Sequence, residues 1–208
     1  MKKDDFSGMK VLVMGLGLHG GGLESVLYLA NRGAELTVTD LRDENTLAPT
    51  IEKLNNLTIR YVLGRHDRED FEKADMVVKN PGVRPDSPYL QGLRRIETDI
   101  SLFLGICPAR ILAITGTKGK SNTSSALYWA LNEGKTAGLL PGKARLGGNI
   151  TVSPLSFLEE LAPGDDVVLE LSSFQLGDLR YVSTGQGRKL LKPRAAIMTP
   201  IMRDHLDR

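Results

Sequence analysis

Ile111-Leu-Ala-Ile-Thr-Gly-Thr-Lys-Gly-Lys-Ser-Asn-Thr123 joins three kinds of local structure in one short run. Ile111 to Ile114 is apolar and reads as a buried strand. A loop with two glycines follows, Thr115-Gly-Thr-Lys-Gly-Lys-Ser121. Beyond Ser121 the pattern turns helical, with Leu127, Ala130 and Leu131 on one face. Strand, glycine loop, Lys-Ser and helix is the layout of a triphosphate-binding loop. The glycines let backbone N–H groups approach phosphate oxygens, and the helix aims its positive end at them. In such a loop Lys120 sits against the β- and γ-phosphates, and the Ser121 hydroxyl ligates Mg²⁺. The match is not strict, because Ile114 stands where the pattern has a further glycine. The bland alternative is a strand-to-helix turn that binds nothing.

The rest of the chain is compatible with that reading. Its 208 residues allow one large or two small domains. A net charge of +2 argues neither for nor against nucleic acid. Cys107 is the one cysteine, which excludes an intramolecular disulfide and fits a reducing compartment. In its apolar run before Pro108 it reads as a buried small hydrophobe rather than a nucleophile. Met1 to Ser7 leads into no signal-type apolar core. No apolar run approaches the ~18 residues of a membrane helix, so a cytoplasmic protein is expected. No internal repeat is visible.

A second glycine loop lies near the start. Lys10 to Met14 is a strand pattern, followed by Gly15-Leu-Gly17-Leu18-His-Gly20. Leu23, Val26, Leu27 and Ala30 then fall on one helical face, and Gly33 suits a left-handed cap. Leu36 to Thr39 is the next strand and ends in Asp40. An acid about 20 residues beyond G-x-G-x-x-G completes a Rossmann-type fingerprint, with a phosphate at the first helix and Asp40 on a ribose or base. A tight turn beside a surface acid is the alternative.

Alternation continues with a helix around Ile51 and Leu54, a strand at Thr58 to Leu63, and a solvated helix at Arg65 to Ala74 carrying a surface His66. The strand Met76 to Lys79 ends in Asn80-Pro81-Gly82-Val83, either a plain turn or a loop at a ligand-binding strand end. A short strand at Ile96 to Thr98 and a helix at Asp99 to Leu104 lead to Gly105, where the pattern breaks. The expected domains are therefore 1–107 and 108–208. In the second, Thr136 to Leu140 reads as a strand, Gly147 to Ile150 as a glycine loop and Pro154 to Leu161 as a short helix. Asp165 to Leu171 is an apolar strand with Glu170 at its carboxyl end, where triphosphate-loop proteins place an acid that holds Mg²⁺. Ser183 to Arg194 reads as a solvated loop and Ala195 to Met198 as a strand. His205 follows that strand end, on the sheet edge expected for Glu170 and the phosphate loop, and is equally readable as a ligand or a structural histidine.

With these residues in view, the chain resembles the Mur ligases, and among them those that add D-glutamate to UDP-N-acetylmuramoyl-L-alanine. Thr115 to Ser121, Glu170-Leu-Ser-Ser-Phe-Gln-Leu176 and Asp204-His-Leu-Asp207 carry the resemblance, with Gly148-Asn-Ile150, Asn80 to Val83 and Asp40-Leu-Arg42. It extends over essentially the whole chain. The fold it implies is α/β, a Rossmann-like N-terminal domain followed by part of a P-loop-type ATP-binding domain.

The resemblance implies roles as well. Gly116, Thr117, Lys118, Gly119, Lys120, Ser121 and Asn122 would bind ATP. Gly15, Gly17, Leu18, Asp40, Arg42, Asn80, Pro81 and Gly82 would hold the UDP-sugar, with Asn149 and His205 flanking its reactive end. Glu170 and His205 would ligate one Mg²⁺ and Ser121 another, and Lys120, Glu170 and His205 would carry the catalytic role. Lys118 and Pro200 depart from the family pattern, which more often has Asn at both places. The strand at Ala195 has no helix after it, so the second domain reads as incomplete. The isolated chain is therefore expected to have little ligase activity. Two rival readings are a non-catalytic nucleotide-binding fragment and a nicotinamide-dependent oxidoreductase. The second leaves the Gly116 loop unexplained.

Overall fold

The computed structural model describes residues 6–18, 20–150, 152–181 and 192–204. These residues form two compact units. One holds residues up to Leu102 together with 178–181, and the other holds 103–177 and 192–204.

The first unit contains β1 (Lys10–Met14), α1 (Gly21–Ala30), β2 (Glu35–Asp40), α2 (Glu44–Ile51), β3 (Ile59–Leu63), α3 (Arg68–Lys73), β4 (Met76–Lys79), β5 (Ile96–Glu97) and the start of α4 (Asp99–Ile106). The strands are all parallel, in the order β3-β2-β1-β4-β5. This is the doubly wound order, and its crevice opens at the carboxyl ends of β1 and β4. Parallel strands covered on both faces need near-continuous apolar runs, and Val11 to Met14 and Met76 to Val78 are all buried. Leu12, Met14, Phe71, Val77 and Leu90 pack as one cluster.

The second unit continues α4 and adds β6 (Arg110–Thr115), α5 (Lys120–Thr136), β7 (Ala144–Gly148), β8 (Asp166–Glu170), most of α6 (Ser173–Tyr181) and β9 (Ala195–Met198). Its parallel sheet runs β7-β8-β6-β9. Both sheets match the expected α/β architecture. Among the described residues no helix is long and apolar enough to cross a membrane.

Several local expectations are corrected. The strand expected at Thr136 to Leu140 is absent, because α5 runs on to Thr136 and closes through Ala137 and the left-handed Gly138. The strand lies instead at Ala144–Gly148, across residues read as the start of a glycine loop. Glycine serves there by its small size. A Cβ on Gly147 would come within 2.9 Å of the Phe157 ring, and one on Gly148 within 2.1 Å of the Glu170 carbonyl oxygen.

Helix α1 turns Leu23, Val26 and Leu29 inward, with Gly22, Ser25 and Tyr28, so Leu23 and Val26 of the expected stripe are buried while Leu27 and Ala30 are half-buried. On α5 the expected apolar face is only partly covered, since Leu127 and Leu131 are half-buried and Ala130 is exposed. The helix at Gly105 does not break there but continues to Ile106. The helix expected over Arg65 to Ala74 begins only at Arg68, behind an Asp67 side chain that accepts from the Glu69 N–H. The expected loop at Ser183 to Arg194 lies mostly outside the described residues.

His66 is not a surface histidine. It is half-buried, its Nδ1 lies 2.7 Å from Thr39 Oγ1, and its ring meets Phe71 and Tyr89 edge-on. Burial lowers its pKa, against a smaller opposing pull from the Asp40 charge. Cys107 is buried as expected, and burial pushes its thiol up to about 11. An un-ionised thiol at neutral pH is no nucleophile.

Asp165, before β8, turns the chain. Its carboxylate accepts from the N–H groups of Lys143 (2.6 Å) and Ala162 (2.9 Å). Burial works to raise its pKa, yet those two hydrogen bonds and the charges of Lys135 and Lys143 together hold it below its ordinary value. A carboxyl with a lowered folded-state pKa stabilises the protein above its unfolded pKa, and that contribution is lost as pH falls through the folded value. Urea midpoints measured between about pH 5 and 3 are expected to fall less steeply for Asp165→Asn than for the parent. Parallel curves would show that the side chain contributes nothing to acid lability.

Candidate functional sites

The first site is built at the carboxyl ends of β1, β2 and β4. Gly15 (φ 89°) donates its N–H to the Thr39 carbonyl (2.8 Å), and Gly17 (φ 65°) donates to Asp40 Oδ2 (3.1 Å). The Thr50 hydroxyl donates to the Gly17 carbonyl (3.1 Å). Asp40 is buried, and its Oδ1 accepts from the Arg42 N–H (2.9 Å). The acid thus organises the loop from below. The exposed Arg42 guanidinium reaches back to it at 3.6 Å.

Asn80 fills the space that Gly15 leaves open. A Cβ on Gly15 would fall 2.9 Å from Asn80 Cβ, and one on Gly17 would fall 3.6 Å from Asn80 Nδ2. Asn80 Oδ1 accepts from the Gly82 N–H (3.0 Å), which closes the Asn80-Pro81-Gly82 turn. Gly15, Gly17, Asp40, Arg42, Asn80 and Gly82 therefore meet at one strand edge, with Leu18 exposed beside them. The N-cap of α1 is Gly20, which has no side chain to cap the first turn of the helix. His19 lies outside the described residues.

Two contributors to this site had no distinct signal in the pattern. Gly22, rather than Gly20, makes the close helix-to-strand approach, for a Cβ there would lie 2.2 Å from the Leu16 carbonyl oxygen. The run Gly20-Gly-Gly22 is its only trace in the sequence. Lys79 is buried at 3% exposure, and its ammonium donates to Val83 O (2.8 Å), Asn80 O (3.3 Å) and Asp178 Oδ2 (2.7 Å). Asp178 belongs to the same compact unit.

The second site lies at the carboxyl ends of β6 and β8. Gly119 (φ 85°) caps α5 without a side-chain hydrogen bond, leaving its first N–H groups directed out of the helix. Lys120 folds its ammonium over the loop, donating to Gly116 O (2.9 Å) and Thr117 O (3.0 Å). Lys118, Ser121 and Asn122 are exposed around it. The segment after β9 anchors the loop. The Thr117 N–H donates to Pro200 O (3.1 Å), the Met202 N–H donates to Thr117 Oγ1 (3.0 Å), and Thr199 N–H donates to Thr115 O (2.8 Å). Pro200 serves through its carbonyl, a role that its missing N–H does not impair.

Glu170 pairs in register with Ile114 on one side and Gly148 on the other. That register sets the acid beside the strand end from which the Gly116 loop departs. Glu170 is 1% exposed. Asn149 Nδ2 donates to its Oε1 (3.1 Å), and Ser124 Oγ lies 3.1 Å from its Oε2. Both donors are neutral. A carboxylate this deeply buried is costly without a compensating positive charge, so the donor set suits a hard divalent cation. Among the described residues no group of three His, Cys, Asp or Glu could hold a metal. The available ligands fit Mg²⁺, which takes one or two protein oxygens and completes its shell with phosphate and water. His205 lies outside the described residues.

Comparison with known proteins fits this geometry. Residues 9–102 match the Mur ligase MurD-like, N-terminal domain, and residues 114–208 match the Mur ligase middle domain. A UDP-N-acetylmuramoylalanine–D-glutamate ligase of Treponema pallidum (strain Nichols) is 50% identical over 208 residues, covering 95% of this chain and 38% of that protein. The protein of the same name from Borreliella burgdorferi (strain ZS7) is 47% identical, covering 99% and 43%. That of Roseiflexus sp. (strain RS-1) is 43% identical, covering 97% and 41%. The chain thus spans about two fifths of the length of these curated relatives. With one Mur ligase domain matched over each glycine loop, and nearly the whole chain accounted for, this protein belongs to the Mur ligase family.

Proposed function

We propose that this chain carries the UDP-sugar-binding and ATP-binding parts of an enzyme that joins D-glutamate to UDP-N-acetylmuramoyl-L-alanine, a step of peptidoglycan precursor synthesis in the cytoplasm. Residues 1–107 are assigned to the UDP-sugar and 108–208 to ATP. The observation that carries this reading is the β6–β8 register, which puts buried Glu170 beside the loop holding Lys120. The names of the relatives support the substrate assignment.

The chemistry follows from the weakness of a carboxylate as an electrophile. A carboxylate oxygen of the L-alanyl group attacks the γ-phosphorus of ATP, the bond to ADP breaks, and an acyl phosphate forms. The amine of D-glutamate then attacks the acyl carbon, the C–O bond to phosphate breaks, and the amine loses a proton. Lys120 and the Gly116–Ser121 amides stabilise negative charge on the transferring phosphoryl oxygens. Two Mg²⁺ ions, one held by Glu170 and His205 and the other by Ser121, would supply further charge neutralisation there. Asn149, bonded to Glu170, is placed to orient the acid and the reacting end of the UDP-sugar. At the other loop, Gly15, Gly17 and the α1 N-terminus receive the pyrophosphate, and Arg42 and Asp40 border the uracil.

Calorimetric titration with UDP-N-acetylmuramoyl-L-alanine, with NAD in parallel, tests the reading. The UDP-sugar is expected to bind and NAD to give no heat. Binding of NAD alone would overturn the assignment and restore the oxidoreductase reading of the Gly15 loop.

A further inference from the structure

Ser124 is the one described residue of α5 that is fully buried, at 0% exposure. Ser124 lies in the run Asn122-Thr-Ser-Ser125, and a buried hydroxyl needs a hydrogen-bond partner. It stands one helical turn beyond Ser121, so the two share a face. Its hydroxyl lies 3.1 Å from Glu170 Oε2 and 3.2 Å from the Ser121 carbonyl oxygen. One hydroxyl carries one proton, and the ionised carboxylate is the stronger acceptor. Asn149 holds the other carboxylate oxygen. The acid is thereby gripped at both oxygens, by α5 on one side and by the residue after β7 on the other.

We infer that Ser124 is a positioning residue, which fixes the Glu170 carboxylate in the orientation that receives the divalent cation accompanying ATP. The inference rests on the ATP-site reading above. Ser124 touches neither nucleotide nor cation in this role. It ties the nucleotide-binding helix to the acid, so that Glu170 is held relative to the Gly116–Ser121 loop by one side chain. Outer-shell partners of this kind govern metal affinity by ligand orientation, typically by about 10–100-fold.

The test is titration of the 208-residue chain with ATP, without metal and with Mn²⁺, following bound Mn²⁺ by electron paramagnetic resonance. Ser124→Ala is expected to weaken Mn²⁺ binding in the presence of ATP by about 10-fold. Metal-free ATP binding should stay within about twofold of the parent. Ser124→Thr, which keeps the hydroxyl, is expected to retain Mn²⁺ affinity, and Ser124→Cys, similar in size but a weak donor, to lose it. This pair supplies the comparison if the alanine variant does not fold. Unchanged Mn²⁺ affinity in Ser124→Ala, or in Ser124→Cys, overturns the inference. So does an equal loss of ATP binding with and without metal, which marks a general packing defect. A parent chain that binds neither ATP nor Mn²⁺–ATP removes the ATP-site reading itself, and the inference with it.

Discussion

Gly116→Ala is expected to weaken ATP binding by about 100-fold while leaving UDP-sugar binding at the Gly15 loop unchanged. Gly116 has φ 132°, a conformation that L side chains rarely adopt. A Cβ there would lie 2.1 Å from Thr199 Oγ1 and 2.6 Å from the Thr199 carbonyl oxygen. The hydroxyl could rotate away, but the carbonyl is backbone and cannot. The loop must therefore lift from the segment after β9, breaking the Thr117–Pro200 hydrogen bond and displacing the two carbonyls that hold Lys120. Losing two charge-assisted hydrogen bonds to phosphate, each worth at least about 1.5 kcal/mol, corresponds to ~100-fold in affinity. Calorimetry with ATP reads this directly, and UDP-sugar titration of the same sample confirms that the Gly15 loop is folded. ATP binding at parental affinity would show that the loop tolerates the side chain and that the Thr199 contact is not what shapes it.

The second large effect is expected at Asp178. Lys79 is almost fully buried, and Asp178 at 2.7 Å is the carboxylate that balances its charge. Asp178→Ala leaves that ammonium in a low-dielectric setting with the carbonyls of Asn80 and Val83. Breaking a buried pair by removing one member costs about 3–5 kcal/mol, more than the intact pair contributes against an apolar replacement. The double variant Lys79→Met/Asp178→Leu is therefore expected to be more stable than Asp178→Ala alone. Urea denaturation of the three proteins provides the measurement. A loss below about 1 kcal/mol in Asp178→Ala would place the pair among interactions that solvent readily replaces.

The predicted and observed folds agree where local rules govern. Continuous apolar runs such as Val11 to Met14 and Val167 to Leu169 suit strands covered on both faces, and all of these residues are buried. Glycine loops followed by helical patterns marked both strand-to-helix turns, at Gly15 and at Gly116. Glu170 was readable because an acid ending an apolar strand has no packing reason to be there. The disagreements arise where glycine has two meanings. Gly147 and Gly148 look like a loop but lie in β7, where Phe157 and the Glu170 carbonyl occupy the space that side chains would need. His66 looked like a surface residue within a charged run, and only the fold brings Thr39, Phe71 and Tyr89 around it.

The sequence by itself determined the order of strands and helices, the two glycine loops and the acid beside the second, because these depend on short-range periodicity and on backbone conformations that glycine permits. It also carried enough identity to place the chain in its family. Tertiary structure alone decided which polar groups are buried and what they hold. Ser124 meets Glu170 across 46 residues, Thr199 meets Thr115 across 84, and Lys79 meets Asp178 across 99. Each pairing depends on strand order and register, which set distances between residues far apart in the chain, and no local pattern encodes that.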